Sequence, residues 1–363
     1  MKIPGFTPPP PVNRSGDADV VADAPLPPEM PADAPPAFSL GNMLERSTAA
    51  LSRHCTNLLK CQPATEKMQE QLLTGGAAAP LIAEFAEQVQ TKRVRSEMWA
   101  QQLRQSGAVM THLRETLPME QRQHLDAAQT SILLDLQTAQ MPPAEIAGPF
   151  NQGINSSNDF FDKLLELIDL IKNGYLAGYE HIIKVYSEFF DAFNTEISAK
   201  LVDWIQGAND GKDVKVDAGS IRAALQSLIQ KYSPPNPDSV LFPAPGMGAA
   251  SKAQAEKWLA ALGLPDSCLK DNGDGTFSVV MDLAPLTAMM NSLLSGGGWV
   301  TWDTAKYQQW QTGFNAQQEN MKNRLQSFTQ KYSNANSYHD NFNKTLSSHL
   351  SQYSDMLRAM LNF

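Results

Sequence analysis

Two long stretches of the chain repeat apolar or aromatic residues at helical spacing without a break. The first covers 159–205 and repeats about every 3.6 residues. The second covers 304–363 and repeats about every 3.5 residues, which is the heptad value. Both exceed the usual globular helix, so we predict an intramolecular coiled coil that is antiparallel if the insert between its helices is compact. The seam positions are Ile168, Ile182, Phe189, Phe193, Leu325, Phe328, Tyr332, Phe342 and Leu346.

The segment between the two long helices, residues 206–303, has a mixed pattern. Alternating polar and apolar residues predict strands at Asp213–Asp217 and Thr276–Asp282. The second strand follows Asn272–Gly275, whose two glycines are a strong hairpin signal. We predict a small mixed α/β insert. Its helices are predicted at Ser220–Tyr232, Ser251–Leu262 and Leu283–Leu294.

Residues 38–141 are polar-rich and follow a helical period in three segments. Glycines at Gly75 and Gly76 and a proline at Pro118 separate these segments, and no alternation typical of strands occurs. The pattern predicts a helical hairpin or small bundle. Residues 142–205 then supply a linker and the first coiled-coil helix, and residues 304–363 the second.

The first 37 residues contain 11 of the 24 prolines and almost no aromatic residues. Such a segment cannot bury enough surface to offset its ordering entropy, so residues 1–37 are predicted to be a disordered head. The expected fold is therefore mainly α: a long antiparallel coiled coil with an N-terminal helical hairpin and a small mixed α/β insert.

Composition narrows the possible partners. The net charge of the 363 residues is −9, which argues against nucleic acid and against a polybasic membrane anchor. The longest uncharged run, Leu283–Trp302, contains Pro285 and three consecutive glycines, so no transmembrane segment is predicted. Met1–Ala37 lacks the apolar block of a cleavable signal peptide. Three cysteines cannot form a disulfide framework.

Candidate chemistry is weak throughout the chain. Gly207–Lys212 is one residue too short for a phosphate-binding loop, and Asp271–Gly275 departs from a calcium loop at its ligand positions. The six histidines form no zinc or protease pattern. We therefore predict no cofactor, no metal and no catalytic residue, and expect a protein that is not an enzyme.

The second long helix is rich in amide side chains on its outer faces, from Gln308 to Asn343. A solvated helix more often carries Glu and Lys there, so this composition favours contact with other protein surfaces. Compositional drift is the open alternative.

Four segments are specific enough to indicate a family. They are Glu256–Asp282, Pro285–Leu293, Lys306–Leu325 and Gln330–Ser337. Together they closely resemble the IpaD/SipD/BipD needle-tip proteins of type III secretion systems. The resemblance is strong over about 150–363, weaker over 38–141 and absent from the proline-rich head.

The resemblance implies the same architecture and a function. Family members have a secretion-signal head, a hairpin that acts as a self-chaperone, a coiled coil and an α/β insert. They are secreted through the type III system and stay outside the cell, where they cap the needle as a small self-associated ring. They hold back secretion, bind the needle subunit and recruit translocator proteins, and some bind bile salts. The alternative is a secreted effector whose coiled coil binds a host protein.

The resemblance also places the needle at the end of the coiled coil away from the insert. In this chain that end combines the start of the first helix with the end of the second. The expected needle-binding residues are Ser351, Gln352, Asp355, Leu357, Arg358 and Met360.

Overall fold

The structure, a computed structural model, describes residues 40–139, 141–293 and 298–361. The predicted disordered head, residues 1–37, lies outside these residues. The described chain is mainly helical, with two small antiparallel sheets, as the sequence predicts.

The N-terminal region forms four helices, one more than predicted. They are α1 (Leu40–Leu59), α2 (Glu66–Leu73), α3 (Ala79–Glu115) and α4 (Met119–Ala139). Pro80 stands in the first turn of α3, where its missing N–H costs nothing. The short α2 escaped the sequence analysis because its eight residues span only two turns.

The first long helix is interrupted, contrary to the prediction of one continuous helix over 159–205. A short α5 (Ala147–Ile154) precedes it, and α6 (Phe160–Asp169) passes through a π-helical segment, Leu170–Leu176, into α7 (Ala177–Glu196). A 3-10 turn then leads to the single turn of α8 (Leu201–Trp204). Apolar spacing shows which face is buried but not the hydrogen-bond register, so it could not reveal the π segment.

The insert begins one residue earlier than predicted, because Ile205 starts a strand rather than ending a helix. Its two sheets have the strand orders β1-β2-β6 and β3-β5-β4. The predicted Asn-Gly-Asp-Gly hairpin is confirmed, since β4 and β5 pair antiparallel on either side of it. The strands are β1 (Ile205–Ala208), β2 (Asp213–Asp217), β3 (Val240–Phe242), β4 (Leu269–Asp271), β5 (Phe277–Val280) and β6 (Trp299–Asp303), and the helices are α9 (Ala218–Lys231), α10 (Lys252–Leu262) and α11 (Ala284–Asn291).

The second long helix, α12 (Thr304–Leu361), is continuous over 58 residues, or about 87 Å. Aromatic pairs join it to the first helix along its length. Their ring centroids lie 5.0 to 6.3 Å apart, and the residue numbers rise along one helix as they fall along the other, so the coiled coil is antiparallel as predicted. The pairs are Phe161–Tyr353, Tyr175–Tyr338, Tyr186–Phe328 and Phe193–Phe314.

All nine predicted seam residues are buried. Two of them, however, have their aromatic partners outside the first coiled-coil helix. Tyr332 meets Phe85 of α3 edge to face, and Phe342 meets Phe150 of α5 in the same way. The apolar face of α12 is therefore wider than a two-helix seam, because the hairpin and the linker cover part of it.

Candidate assembly interface

The lower end of the coiled coil, meaning the end away from the insert, presents a polar face on the last turns of α12. Ser351, Gln352 and Asp355 are exposed there, and Arg358 and Met360 are half-buried. Leu357, which the sequence analysis assigned to needle binding, is fully buried. It can reach a partner only if the helices around it separate, so the exposed part of the expected needle-binding set is Ser351, Gln352 and Asp355.

The opposite face of this end is covered by the hairpin. The amide of Gln129, on α4, donates a 2.8 Å hydrogen bond to the hydroxyl of Tyr353. The hydroxyls of Thr48, on α1, and Ser354 lie 2.7 Å apart. The rings of Phe160 and Phe161 also contact Tyr353. Only one side of the last turns is therefore free for a partner.

A groove of about 260 Å³ runs between α1 and α12 beside this face. Its lining is mostly hydroxyl groups: Thr48, Ser52, Ser347, Ser348 and Ser351, together with Leu51. Because Ser351 belongs to both the groove and the exposed face, a partner at this end would also touch the edge of the hairpin.

Higher up, helix α3 is joined to the coiled coil by a buried polar cluster. Lys92 is almost completely buried, and its ammonium lies 2.6 Å from carboxylate Oδ1 of Asp340 and 2.6 Å from the amide oxygen of Asn336. The amide of Gln62 donates to the other Asp340 oxygen at 2.7 Å and accepts from Asn336 at 2.9 Å. The charge of Lys92 is thus paired with a carboxylate, and its ammonium donates two hydrogen bonds, which offsets much of the cost of burying it.

The next residue of α3 contacts the other coiled-coil helix. Arg93 donates two hydrogen bonds, of 2.9 and 2.7 Å, to Oε2 of Glu180 on α7. Burial raises the pKa of Glu180, and Arg93 opposes that shift. Lys92 and Arg93, adjacent cations of α3, therefore each bind a carboxylate on a different helix of the coiled coil.

The surroundings of Lys92 shift the pKa values of two neighbouring side chains, His339 and Asp340. Burial lowers the pKa of His339 below its ordinary value of 6.5, and the nearby Lys92 and Lys172 lower it further. Burial alone would raise the pKa of Asp340, but hydrogen bonds from His339 and Lys92 hold it below its usual range. Ser96 Oγ, Glu180 Oε1 and His339 Nε2 are buried without a hydrogen-bond partner. The polar cluster is therefore incompletely satisfied.

Below this cluster, α3 approaches the coiled coil closely. The indole N–H of Trp99 donates a 2.7 Å bond to the amide oxygen of Asn343. At Gly107 an added Cβ would lie 2.7 Å from the ring of Phe161 on α6. Only glycine fits that contact without displacing the ring.

Sequence reasoning missed the polar side of this interface. Asn336, His339, Asp340 and Asn343 recur at helical spacing on the buried face of α12, and all four are at least nine-tenths buried. That repeated polarity inside an apolar pattern was the available signal. Lys92 offered none, because a single lysine in a polar helix ordinarily faces solvent.

Within 40–139, 141–293 and 298–361, no group of three or more His, Cys, Asp or Glu residues could hold a metal ion. The three cysteines are free thiols, with Cys55 and Cys268 buried. No helix of the described part of the chain is long and apolar enough to cross a bilayer.

Comparison with protein families gives one match over most of the chain. A family model described as "Type III secretion systems tip complex components" matches residues 44–361.

Individual proteins give the same result. The chain is 35% identical to the cell invasion protein SipD of Salmonella typhi, over 84% of this chain and 87% of that protein. It is 32% identical to the invasin IpaD of Shigella flexneri, over 87% of this chain and 97% of that protein. A crystal structure titled as the pathogenicity island 1 effector protein from Chromobacterium violaceum is 30% identical. It covers 86% of this chain and 96% of its own, with a TM-score of 0.61.

Proposed function

Because the chain belongs to the family of type III secretion system tip complex components, we propose that it caps the secretion needle. In this role it is secreted, stays at the bacterial surface, holds back secretion and recruits translocators. The role is one of assembly rather than catalysis. The names of its relatives, which include cell invasion protein, invasin and translocator protein, support this assignment.

The observation that carries the proposal is the one-sided lower end of the coiled coil. The hairpin covers one face of α12 there, and the other face presents Ser351, Gln352 and Asp355 to solvent. A needle subunit can bind this face without disturbing the buried seam. The insert lies at the far end, where it can face translocators and the host.

The hairpin acts in this proposal as an internal shield. Its helices α1, α3 and α4 pack along α12 and cover part of its apolar face, including the ring of Tyr332, which Phe85 of α3 contacts. Exposed patches of that kind promote association.

Reversing one charge tests needle binding at the lower end. Asp355→Arg should weaken capture of the needle subunit by about 2 kcal/mol or more if the carboxylate is covered in the complex. Pull-down with purified needle subunit measures this, and circular dichroism checks the fold. Glu319→Arg is the matched control, because it is an exposed carboxylate on the same helix about 54 Å away. Equal capture by both variants would remove the needle site from this end.

We propose that the bile-salt site is a cleft between the π-helical segment and the insert. Its volume is about 550 Å³, which is a usual size for a ligand site. Stacked rings of Phe242 and Trp258 line it, and its charged lining residues are Arg93, Glu145 and Asp169. Calorimetric titration with cholate should show saturable binding that Met247→Glu weakens on the order of tenfold, by burying a charge against the steroid. Met119→Glu, at an exposed site on α4, should bind cholate normally. No saturation with the parent protein would dismiss the cleft.

A further inference from the structure

Helix α3 is flanked by two open grooves of opposite character. The first, here called the acidic groove, lies between α3, α7 and the end of α9, with a volume of about 710 Å³. Small apolar side chains of α3 line one wall: Ala79, Ile82, Ala83 and Ala86. The rest of the lining includes four carboxylates, Glu188, Asp191, Glu196 and Asp238, and two lysines, Lys184 and Lys231.

The two lysines at the acidic groove neutralise only part of the charge of its four carboxylates. Lys184 lies 2.9 Å from Glu188 one turn along α7, and the ammonium of Lys231 lies over the ring of Tyr232. Within the described part of the chain, Glu196 and Asp238 form no ion pair. Burial raises the pKa of Tyr232, and all four carboxylates add to that shift, which indicates a negative potential inside the groove.

The second, here called the cationic groove, lies on the other side of α3, against α1, with a volume of about 370 Å³. Its lining is His54, Asn57, Lys60, Arg95 and Met98, and no described carboxylate contributes to it. Arg95 is oriented by a 2.9 Å hydrogen bond to the backbone carbonyl of Asn57.

Two apolar side chains near these cations are exposed to solvent. Met98 is 47% exposed, and Val94, one turn before it, is 46% exposed. An apolar projection ringed by cations is the complement of an apolar wall ringed by carboxylates. The two grooves flank opposite sides of α3, so they cannot meet within one molecule.

We propose that the cationic groove of one copy docks into the acidic groove of the next copy. Met98 and Val94 then pack on the alanine-lined wall of α3, and Lys60 and Arg95 face Glu188 and Glu196. Different patches meet in such a contact, so it is heterologous and repeats from copy to copy, closing a ring or extending a chain. The inference rests on the proposed function, because a tip complex brings several copies together at the needle.

The contact should be weak in dilute solution and strong at the needle. Charges at an exposed rim contribute little individually and are screened by salt. Copies held side by side on a needle meet at a high effective concentration, which favours the same contact without any new interaction.

A charge exchange across the two grooves tests the pairing in the full chain. The first variant combines Glu188→Lys with Glu196→Lys, and the second combines Lys60→Glu with Arg95→Glu. Sedimentation equilibrium at low salt gives the association constant of the parent, of each variant alone and of their equimolar mixture. Each variant alone opposes like charges, so its self-association should fall by at least about tenfold. The mixture restores opposite charges at both contacts and should return to within about threefold of the parent.

The matched control combines Glu256→Lys with Glu319→Lys, two exposed carboxylates outside both grooves. It changes the net charge as much as the first variant does and should associate like the parent. A parent that stays monomeric at every concentration would overturn the proposal, and so would a mixture no better than its parts. The proposal would also be overturned if the first variant lost capture of the needle subunit while its self-association stayed intact. The acidic groove would then bind the needle subunit and not a second copy. Sedimentation uses no needle subunit. Its result therefore does not depend on the outcome of the Asp355→Arg test of needle binding.

Discussion

His339 occupies the polar cluster between the hairpin and the coiled coil, and its neighbours decide how it responds to acid. Lys92 and Lys172 face it as cations, and Asp340 and Glu180 face it as carboxylates. Its imidazole is buried, and its Nε2 atom has no hydrogen-bond partner. Burial and the two lysines disfavour protonation of the imidazole, the hydrogen bond to Asp340 opposes them, and the net effect is a lowered pKa in the folded protein.

Acid should therefore weaken the fold through His339. The pKa of this group is lower in the folded chain than its ordinary 6.5, so its contribution is fully present above pH 6.5 and is lost as pH falls below that value. The loss reaches up to about 1.4 kcal/mol per pH unit until the folded group also titrates. Urea unfolding of the parent and of His339→Gln, from pH 7 to pH 5, measures the difference in slope.

Two features of the experiment restrict the difference in slope to the effect of His339. Glu180, whose pKa is raised, changes stability in the opposite direction, but it is common to both proteins and cancels in the difference. His349→Gln is the matched control, because His349 lies on the same helix and is only half-buried. A parent and a His339→Gln variant with parallel pH profiles would show that this histidine does not oppose acid.

Single polar residues also mark the limit of the sequence analysis. The exposed amides of α12, such as Gln308 and Asn334, follow the predicted outer face. Asn336 and Asn343 were counted with them, yet both are buried and hydrogen-bonded to hairpin residues. Apolar spacing locates the seam between two helices. It cannot show that a third helix covers the flank, because that depends on partners far away in sequence.

At the scale of elements, long regular features were predictable and short or irregular ones were not. Helix α12 was predicted over 304–363 and observed as Thr304–Leu361, because sixteen turns of one period leave little ambiguity. Strand β1, with four residues and a central glycine, carries no alternation that a sequence could reveal. The π segment keeps the apolar face of the helix and changes only its hydrogen bonds, so periodicity does not detect it.

The docking of α3 on the coiled coil can be tested at Gly107. An alanine there would place its Cβ 2.7 Å from Phe161, so Gly107→Ala should lower the free energy of unfolding by about 1–3 kcal/mol. Hydrogen exchange should rise in α1 and α3 more than in α7, because the hairpin loosens first. Urea unfolding and exchange mass spectrometry measure the two effects.

Gly313→Ala supplies the matched control on α12. An added Cβ there meets nothing within 4 Å, so helix propensity should make this change neutral or stabilising by up to about 1 kcal/mol. If both alanine variants gained stability equally, the close approach of α3 to α6 would be disproved.

At the scale of the whole molecule, the proposed needle-binding face and the insert lie at opposite ends of one long helix. The lower end joins the hairpin and the coiled coil around a free polar face, and the insert occupies the other end. Helix α12 spans the distance as a single element of 58 residues. A rigid connection of this kind suits a protein that must bind a needle at one end and other proteins at the other.

The central claim is that this protein caps the needle with its insert pointing outward. Electron microscopy of needles from cells that carry the chain with an epitope in the exposed Asn272–Gly275 turn of the insert tests it most directly. Gold-labelled antibody should appear at the needle tips alone, beyond the end of the shaft, and should disappear when the gene is deleted. Label spread along the shaft, or intact needles without label while the protein is free in the medium, would contradict the account.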